Sequence, residues 1–467
     1  MAGGRPRDLD GPHPTTAARG GPARAAPQAL SGRAPLPSVR AGSAAALRPG
    51  WDHDRCNTHR AYGRGSIIAR LPPAAAFAGL AVTFAVVMLG ATIPTPMYAL
   101  YQRELGFSPV VQTVVFAVYA LGVLAALLLA GRWSDQLGRR PMLLAGVAFS
   151  LVSSLVFLLA GPVWVLLVGR LLSGVSAGIF AGAATAAVIE AAPESWRDRG
   201  PAVATAANIG GLGLGTALAG VAVEYLPAPL HLSFAVHAVV VALCGLLVLA
   251  APETVRDRPA HPSLRPQTVE VPPAVRAVFA LAATAGFAGF AVLGLFTALS
   301  PRIVSEIVGI PNHAVAGVMS FVLLGASVVA QLLVRHAGTD RMLDAGCVLL
   351  VAGVGLVALS VARASMTELL AGAVIAGAGQ GMTFSKGLAA VNSRVDVARR
   401  AGTTSSYFLV LYVAISLPVV GLGAASQAWG LRTAGIAFCG LVALLAVIAL
   451  GALLVLQRRE ARPPATP

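Results

Sequence analysis

The stretch GRWSDQLGRRPM, residues 131 to 142, sets one carboxylate, Asp135, among Arg132, Arg139 and Arg140, with glycines at 131 and 138. A carboxylate so placed accepts charge-assisted hydrogen bonds from guanidinium groups and faces the positive N-terminus of any helix beside it. Such an ion cluster can form in one arrangement of a chain and break in another. A second candidate is Arg170, a lone cation in the apolar run VWVLLVGRLLSGVSAGIF. A charge deep in a bilayer costs about 2.5 to 3.5 kcal/mol, so chance seldom retains one. Binding a substrate anion, coupling to protons and a structural pair with a backbone carbonyl are its three open roles. Signatures of catalysis are missing: the sequence holds no GxxxxGK[ST] phosphate loop, no HExxH and no carboxylates paired at ligand spacing. Neither a metal nor a cofactor is expected, and a membrane enzyme or a receptor ranks well behind a carrier.

Composition supplies the setting for these residues. Of 467 residues, 57% are hydrophobic and 11% charged, far from the soluble average. Windows of about 20 apolar residues, enough for one membrane crossing, fall near 74–96, 108–130, 141–160, 163–190, 201–224, 231–251, 275–298, 313–335, 343–362, 367–391, 403–426 and 432–457. These predict an all-α integral membrane protein of twelve helices, the seventh being the most diluted by Gly and Ala. The formal charge of +15 comes from 33 arginines and one lysine, Lys386. About 28 of the arginines lie in the N-terminal tail, the C-terminus and the loops after every second span, against four in the alternate loops, Arg103, Arg302, Arg363 and Arg432. That asymmetry is a topology signal placing both termini in the cytoplasm. The partner implied is the lipid bilayer, a plasma membrane, and not nucleic acid. The Arg and Ala bias is that of a GC-rich bacterial genome.

Residues 1–72 are rich in Pro, Gly, Ala and Arg without helical or strand period and are expected to form a disordered cytoplasmic tail. No apolar core of a signal peptide precedes residue 73, and a start codon set upstream of the true one is an alternative source of this tail. Cys244, Cys347 and Cys439 sit in apolar runs and Cys56 in the tail, so no disulfide or metal framework is implied. The longest internal loop, 252–274, divides a six-helix bundle at 73–251 from another at 275–457, and a short tail follows at 458–467. Across that linker the chain weakly repeats, SAGIFAGAATAAVIEAAPESWRDRG (176–200) against GQGMTFSKGLAAVNSRVDVARRAG (379–402). Two similar halves are the layout of a secondary transporter.

On these residues the chain resembles the major facilitator superfamily. Gly131, Ser134, Asp135, Gly138, Arg139 and Arg140 match its signature loop between helices 2 and 3, with Gln136 where Arg or Lys is usual. The resemblance implies that this loop latches the two halves together in the outward-facing state. Arg170 with Gly174 and Gly178 is similar to the family's second motif, in which small residues let helices approach. In NIGGLGLGTALAG, Gly211, Gly215 and Gly220 resemble the antiporter pattern, although Thr216 replaces its Pro and Ala219 a Gly; tight packing explains this stretch nearly as well. Ala251-Pro252-Glu253-Thr254 is a weaker match to the ending of helix 6, and GTDRM (338–342) keeps only an echo of the signature loop.

The resemblance also implies a cavity lined by helices 1, 4, 7 and 10, hence by Thr92, Tyr98, Arg170, Phe287, Phe290, Gln380 and Phe384. Such a surface suits hydrophobic organic solutes better than sugars. Lys386, near a helix end, is expected to snorkel in a structural role. The carboxylates Glu190 and Glu224 close helices 4 and 5, no Asp or Glu stands at a span centre, and His237 is expected to be satisfied by packing, so the proton carrier is unassigned. The leading expectation is a monomeric, proton-coupled efflux permease for drugs or hydrophobic metabolites, and the alternative is an uptake symporter or uniporter for a small organic solute or anion.

Overall fold

The computed structural model describes residues 71–460 apart from 256, 257, 260, 263 and 264. The tail expected at 1–72, but for its last two residues, and the end of the chain beyond 460 lie outside the described residues. Twelve long helices follow one another: α1 Pro73–Leu105, α2 Pro109–Ala130, α3 Arg139–Leu158, α4 Val163–Ala191, α5 Glu194–Tyr225, α6 Pro229–Ala250, α7 Pro273–Ile307, α8 His313–Leu333, α9 Thr339–Arg363, α10 Met366–Asn392, α11 Val397–Trp429 and α12 Leu431–Glu460. Among the described residues there is no strand.

Local chemistry explains where these helices begin and stop. The Ser108 hydroxyl accepts from Val111 N at 3.4 Å ahead of Pro109, and Asn312 Oδ1 accepts from Val315 N at 3.0 Å at the start of α8, so each satisfies a free donor of the first turn. Gly106, at φ 67°, ends α1 in the left-handed region that favours glycine. The apolar windows understate the helices. Helix α1 runs past residue 96 through the polar YQREL to Leu105, broken by a turn at Ile93 ahead of Pro94.

Eleven of the helices are both long and apolar enough to cross a membrane. The remaining one is α10, and not α7 with its dilution by Gly and Ala. The Gly-, Ser- and Lys-bearing AGAGQGMTFSKG stretch of α10 is buried against protein instead of lipid. A Cβ at Gly377 would lie 2.2 Å from the Leu323 carbonyl of α8, and one at Gly379 would lie 2.6 Å from Leu350 N of α9.

The internal repeat is visible in which helices touch. Within α1–α6, α4 packs on α1, α2 and α3, α5 on α1, and α6 on α3; within α7–α12, α10 packs on α7, α8 and α9, α11 on α7, and α12 on α9. Across the halves, α2 packs on α11 and α5 on α8. At the arginine-poor end polar contacts cross this seam: Gln112 Nε2 donates to Ala298 O at 3.1 Å, and Glu224 Oε2 accepts from His313 N at 2.9 Å and lies 3.1 Å from its Nδ1. At the arginine-rich end the start of α5 stands apart from α8 and α10 around a cavity of about 380 Å³. A second cavity between the halves, of about 370 Å³, lies at the arginine-poor end, lined by Gln102 and Arg103 of α1 and by Arg302, Glu306 and His313 of the second half.

Gly377→Val is expected to cost about 1 to 3 kcal/mol by overpacking the α8–α10 contact, seen as a lower Tm in detergent. Gly421→Ala, where nothing stands within 4 Å, serves as the comparison and is expected to leave Tm unchanged or slightly raised.

Candidate functional site

The signature loop folds as a short helix, Trp133–Leu137, followed by Gly138 at φ 107° and ψ 157°. This geometry is glycine's alone, and a Cβ there would also meet Arg258 Nη2 and Glu253 Oε2 at 2.5 Å. It turns Arg139 back toward the loop. Arg139 Nη1 lies 2.5 Å from Asp135 Oδ1 and donates to Ser134 Oγ at 2.7 Å, while Nη2 and Nε grip Glu190 at 2.9 and 3.2 Å. Thr254 Oγ1 donates to Glu190 at 2.5 Å. Glu253 accepts the backbone N–H groups of Arg139 and Arg140 at 2.8 and 3.1 Å and pairs with Arg258 at 2.6 Å, so a carboxylate from the end of α6 caps the start of α3. Arg140 Nη2 donates to the Leu249 carbonyl.

These partners belong to the first half or to the linker that follows it, which supplies Glu253, Thr254 and Arg258. Asp135 is 64% exposed and, among the described residues, pairs with nothing in the second half. The expected bridge between halves is not made in this arrangement. Sequence reasoning does not reveal the weight carried by Glu190 and Glu253; the APET ending of α6, a weak resemblance, is the signal for the second.

Arg170 is 1% exposed. Its Nη1 donates to Ala91 O of α1 at 2.7 Å, and its guanidinium carbon lies 4.6 Å from the Tyr119 ring centroid, 5.7 Å from Phe116 and 5.9 Å from Tyr98. Three aromatic faces and one carbonyl thus solvate a charge that the bilayer would reject. The cage is still incomplete in polar terms, because Arg170 Nε and Tyr98 OH are buried without a protein partner. Gln380 Oε1 on α10, 2% exposed as a residue, is in the same condition.

The remaining lining candidates divide. Phe290 packs on Phe384 with centroids 5.5 Å apart, Phe384 on Phe408 at 6.0 Å, and Phe408 on Tyr412 at 6.5 Å, which makes a run of four rings over α7, α10 and α11. Phe287 is half-buried and joins no ring pair among the described residues. Thr92 turns away from a cavity: its hydroxyl donates to Leu212 O of α5 at 2.7 Å. A lining drawn only from helices 1, 4, 7 and 10 leaves out Phe116 and Tyr119 on α2 and Phe408 and Tyr412 on α11, pairs whose three- and four-residue spacing marks one helix face. The packing glycines make close backbone contacts. A Cβ at Gly174 or Gly178 would meet the Tyr119 or Val123 carbonyl of α2 at 2.2 or 2.7 Å, one at Gly211 or Gly215 the Ala85 or Leu89 carbonyl of α1 at 2.5 or 2.3 Å, and one at Gly220 the His313 carbonyl across the halves at 2.5 Å. Lys386 extends to the loop that follows α8. It is 5% exposed and its Nζ donates to Ala337 O at 2.7 Å. His237 bonds Ser154 Oγ at 2.8 Å and Val86 O at 3.2 Å, tying α6 to α3 and α1.

Twelve helices in two matched halves, with this loop between the second and third, define a class of membrane carrier. A sequence profile of the Major Facilitator Superfamily matches residues 80–417, and the chain belongs to that family of transporters. Tetracycline resistance protein, class D, of Salmonella ordonez is 33% identical over 135 residues, 29% of this chain and 33% of that one. Multidrug resistance protein 1 of Bacillus subtilis (strain 168) is 27% identical over 168 residues, 36% of this chain and 43% of that one. The matches thus span under half the length of these curated relatives. A crystal structure of a bacterial homolog to the human lysosomal transporter Spinster, inward-facing and unoccupied, superposes with a TM-score of 0.64 at 15% identity over 84% of this chain and 99% of that one, a likeness of fold.

Glu253→Ala is expected to lower stability by about 1 to 2 kcal/mol through loss of the α3 cap, and Asp135→Ala by less than about 1 kcal/mol because the pair is exposed. Thermal unfolding in detergent measures both. Equal losses would mean that Glu253 does no more than Asp135 to organise the loop.

Proposed function

We propose that the chain is an exporter of hydrophobic, ring-bearing compounds, working by alternating access in a bacterial plasma membrane in exchange for protons. The observation that carries this reading is the aromatic run Phe290, Phe384, Phe408 and Tyr412. Its rings are half-buried, and Tyr412 also packs against the hydrophobic cluster of the first half, so the run borders the seam where the halves meet. Flat apolar faces with few polar groups select by shape and stacking, which suits drugs and hydrophobic metabolites. The names of the matched relatives, resistance proteins for tetracycline and for many drugs, point the same way. Lacking any phosphate loop in its sequence, the chain draws its energy from an ion gradient, here assigned to protons. Arginine placement supports a cytoplasmic position for the arginine-rich end and for both termini. The signature loop follows α2, which packs on α11 of the second half, and Asp135, now held by Arg139, acts as the latch between the halves in the outward-facing state. With both halves in one chain, the monomer suffices.

The test is transport in inverted vesicles, acid inside, with a pH-sensitive dye. Dye recovery is expected on adding tetracycline or another polycyclic compound, only in vesicles that contain the protein. Arg170→Ala is expected to abolish recovery at normal expression, and Asp135→Asn to slow the cycle with insertion unchanged. A broad panel that moves no protons would replace export by uptake or facilitated diffusion, and full activity of Asp135→Asn would remove the latch.

A further inference from the structure

The cavity at the arginine-rich end has a wall from each half. From the first half comes the start of α5, with Asp198 and Thr205; from the second come the end of α8, with Gln331, Arg335 and His336, and α10, with Ser385 and Lys386. Its volume of about 380 Å³ holds a small organic anion or a lipid headgroup.

Lys386 is the informative residue. An ammonium carries three donors, and this one makes a single bond, to a neutral carbonyl, Ala337 O. At 5% exposure it has little water, and no carboxylate lies within ion-pair distance among the described residues. Buried charges are ordinarily paired, because leaving one unpaired costs far more than the same charge in water. A carbonyl at a helix end accounts for one donor and leaves the positive charge uncompensated. Two more nitrogen-bearing groups, Arg335 and His336, line the same cavity from the end of α8, both exposed and neither in an ion pair among the described residues. Gln331, 8% exposed, and Ser385 add neutral polar groups beside them. The one carboxylate on the wall, Asp198, is exposed, stands on the opposite half and forms no ion pair among the described residues.

We propose that this cavity is an oxyanion site, with Lys386 as its buried anchor and Arg335 as its exposed arm, taking a carboxylate or phosphate group at the mouth between the halves. Two sources carry that group, a soluble oxyanion and an anionic lipid headgroup entering between α5 and α8. Because the two walls belong to different halves, an occupant favours the arrangement in which this end is open. The inference holds whichever way cargo moves.

The experiment uses the purified full chain in detergent, with Tm followed against inorganic phosphate at constant ionic strength and, separately, against short-chain phosphatidylglycerol, with short-chain phosphatidylcholine as the neutral comparison. A saturable rise in Tm is expected with at least one of the two anions and not with the choline lipid. Phosphate alone acting identifies a soluble oxyanion, the glycerol lipid alone acting identifies a headgroup, and either result supports the site. Lys386→Gln is expected to weaken the half-saturating concentration about tenfold or more through loss of a charge-assisted bond. Asp198→Asn is expected to strengthen it. Should Lys386→Gln fail to fold, Ala389→Glu keeps the lysine and sets a carboxylate on the cavity wall, where it is expected to abolish the response. No saturable rise with either anion, or an equal rise in wild type and in a folded variant, would overturn the proposal.

Discussion

Close approach of helix backbones is the interaction on which the rest of this structure depends. In lipid there is no hydrophobic force to press one apolar helix on another, so packing comes from surfaces small enough to interlock. Gly174 shows the consequence. A Cβ there would stand 2.2 Å from the Tyr119 carbonyl, and because it is absent α2 can lie against α4 closely enough for the Tyr119 ring to sit 4.6 Å from the Arg170 guanidinium. One missing methyl group thus provides the solvation that lets a cation remain in the bundle.

The same device recurs in the second half, where it serves a different end. Gly377 and Gly379 seat α10 against α8 and α9, so a helix too polar for lipid finds its place among protein. That burial carries Gln380 and Lys386 into the interior, each with unused hydrogen-bonding capacity. Packing residues and polar residues in α10 are in this sense one feature: the first make burial of the second possible.

Charge is handled differently at the arginine-rich end. There the signature loop is gathered by two carboxylates, Glu190 from α4 and Glu253 from the linker just after α6. Asp135 contributes one exposed pair. The loop is consequently held by Glu190 and Glu253 more than by Asp135. At the opposite end, Glu224 and His313 join the halves directly.

Helix number, the doubled layout and the family were legible in the chain itself, because each rests on local properties: about 20 apolar residues per crossing, arginines gathered in alternate loops, and a loop whose glycine at 138 serves a turn made within its own few residues. Arg170 was likewise conspicuous, since a charge in an apolar run needs no neighbour to be noticed. Partners were another matter. That Arg139 would grip Glu190, 51 residues on, that Thr92 would turn its hydroxyl to α5, or that Phe408 and Tyr412 would extend the ring pair of Phe290 and Phe384 depends on how helices far apart in sequence are turned toward one another. Sequence alone determined which segments cross the bilayer and which residues are costly to place there; tertiary structure alone decided what meets them, because helix rotation and the tilt between halves are set by the sum of many weak contacts and by no single residue.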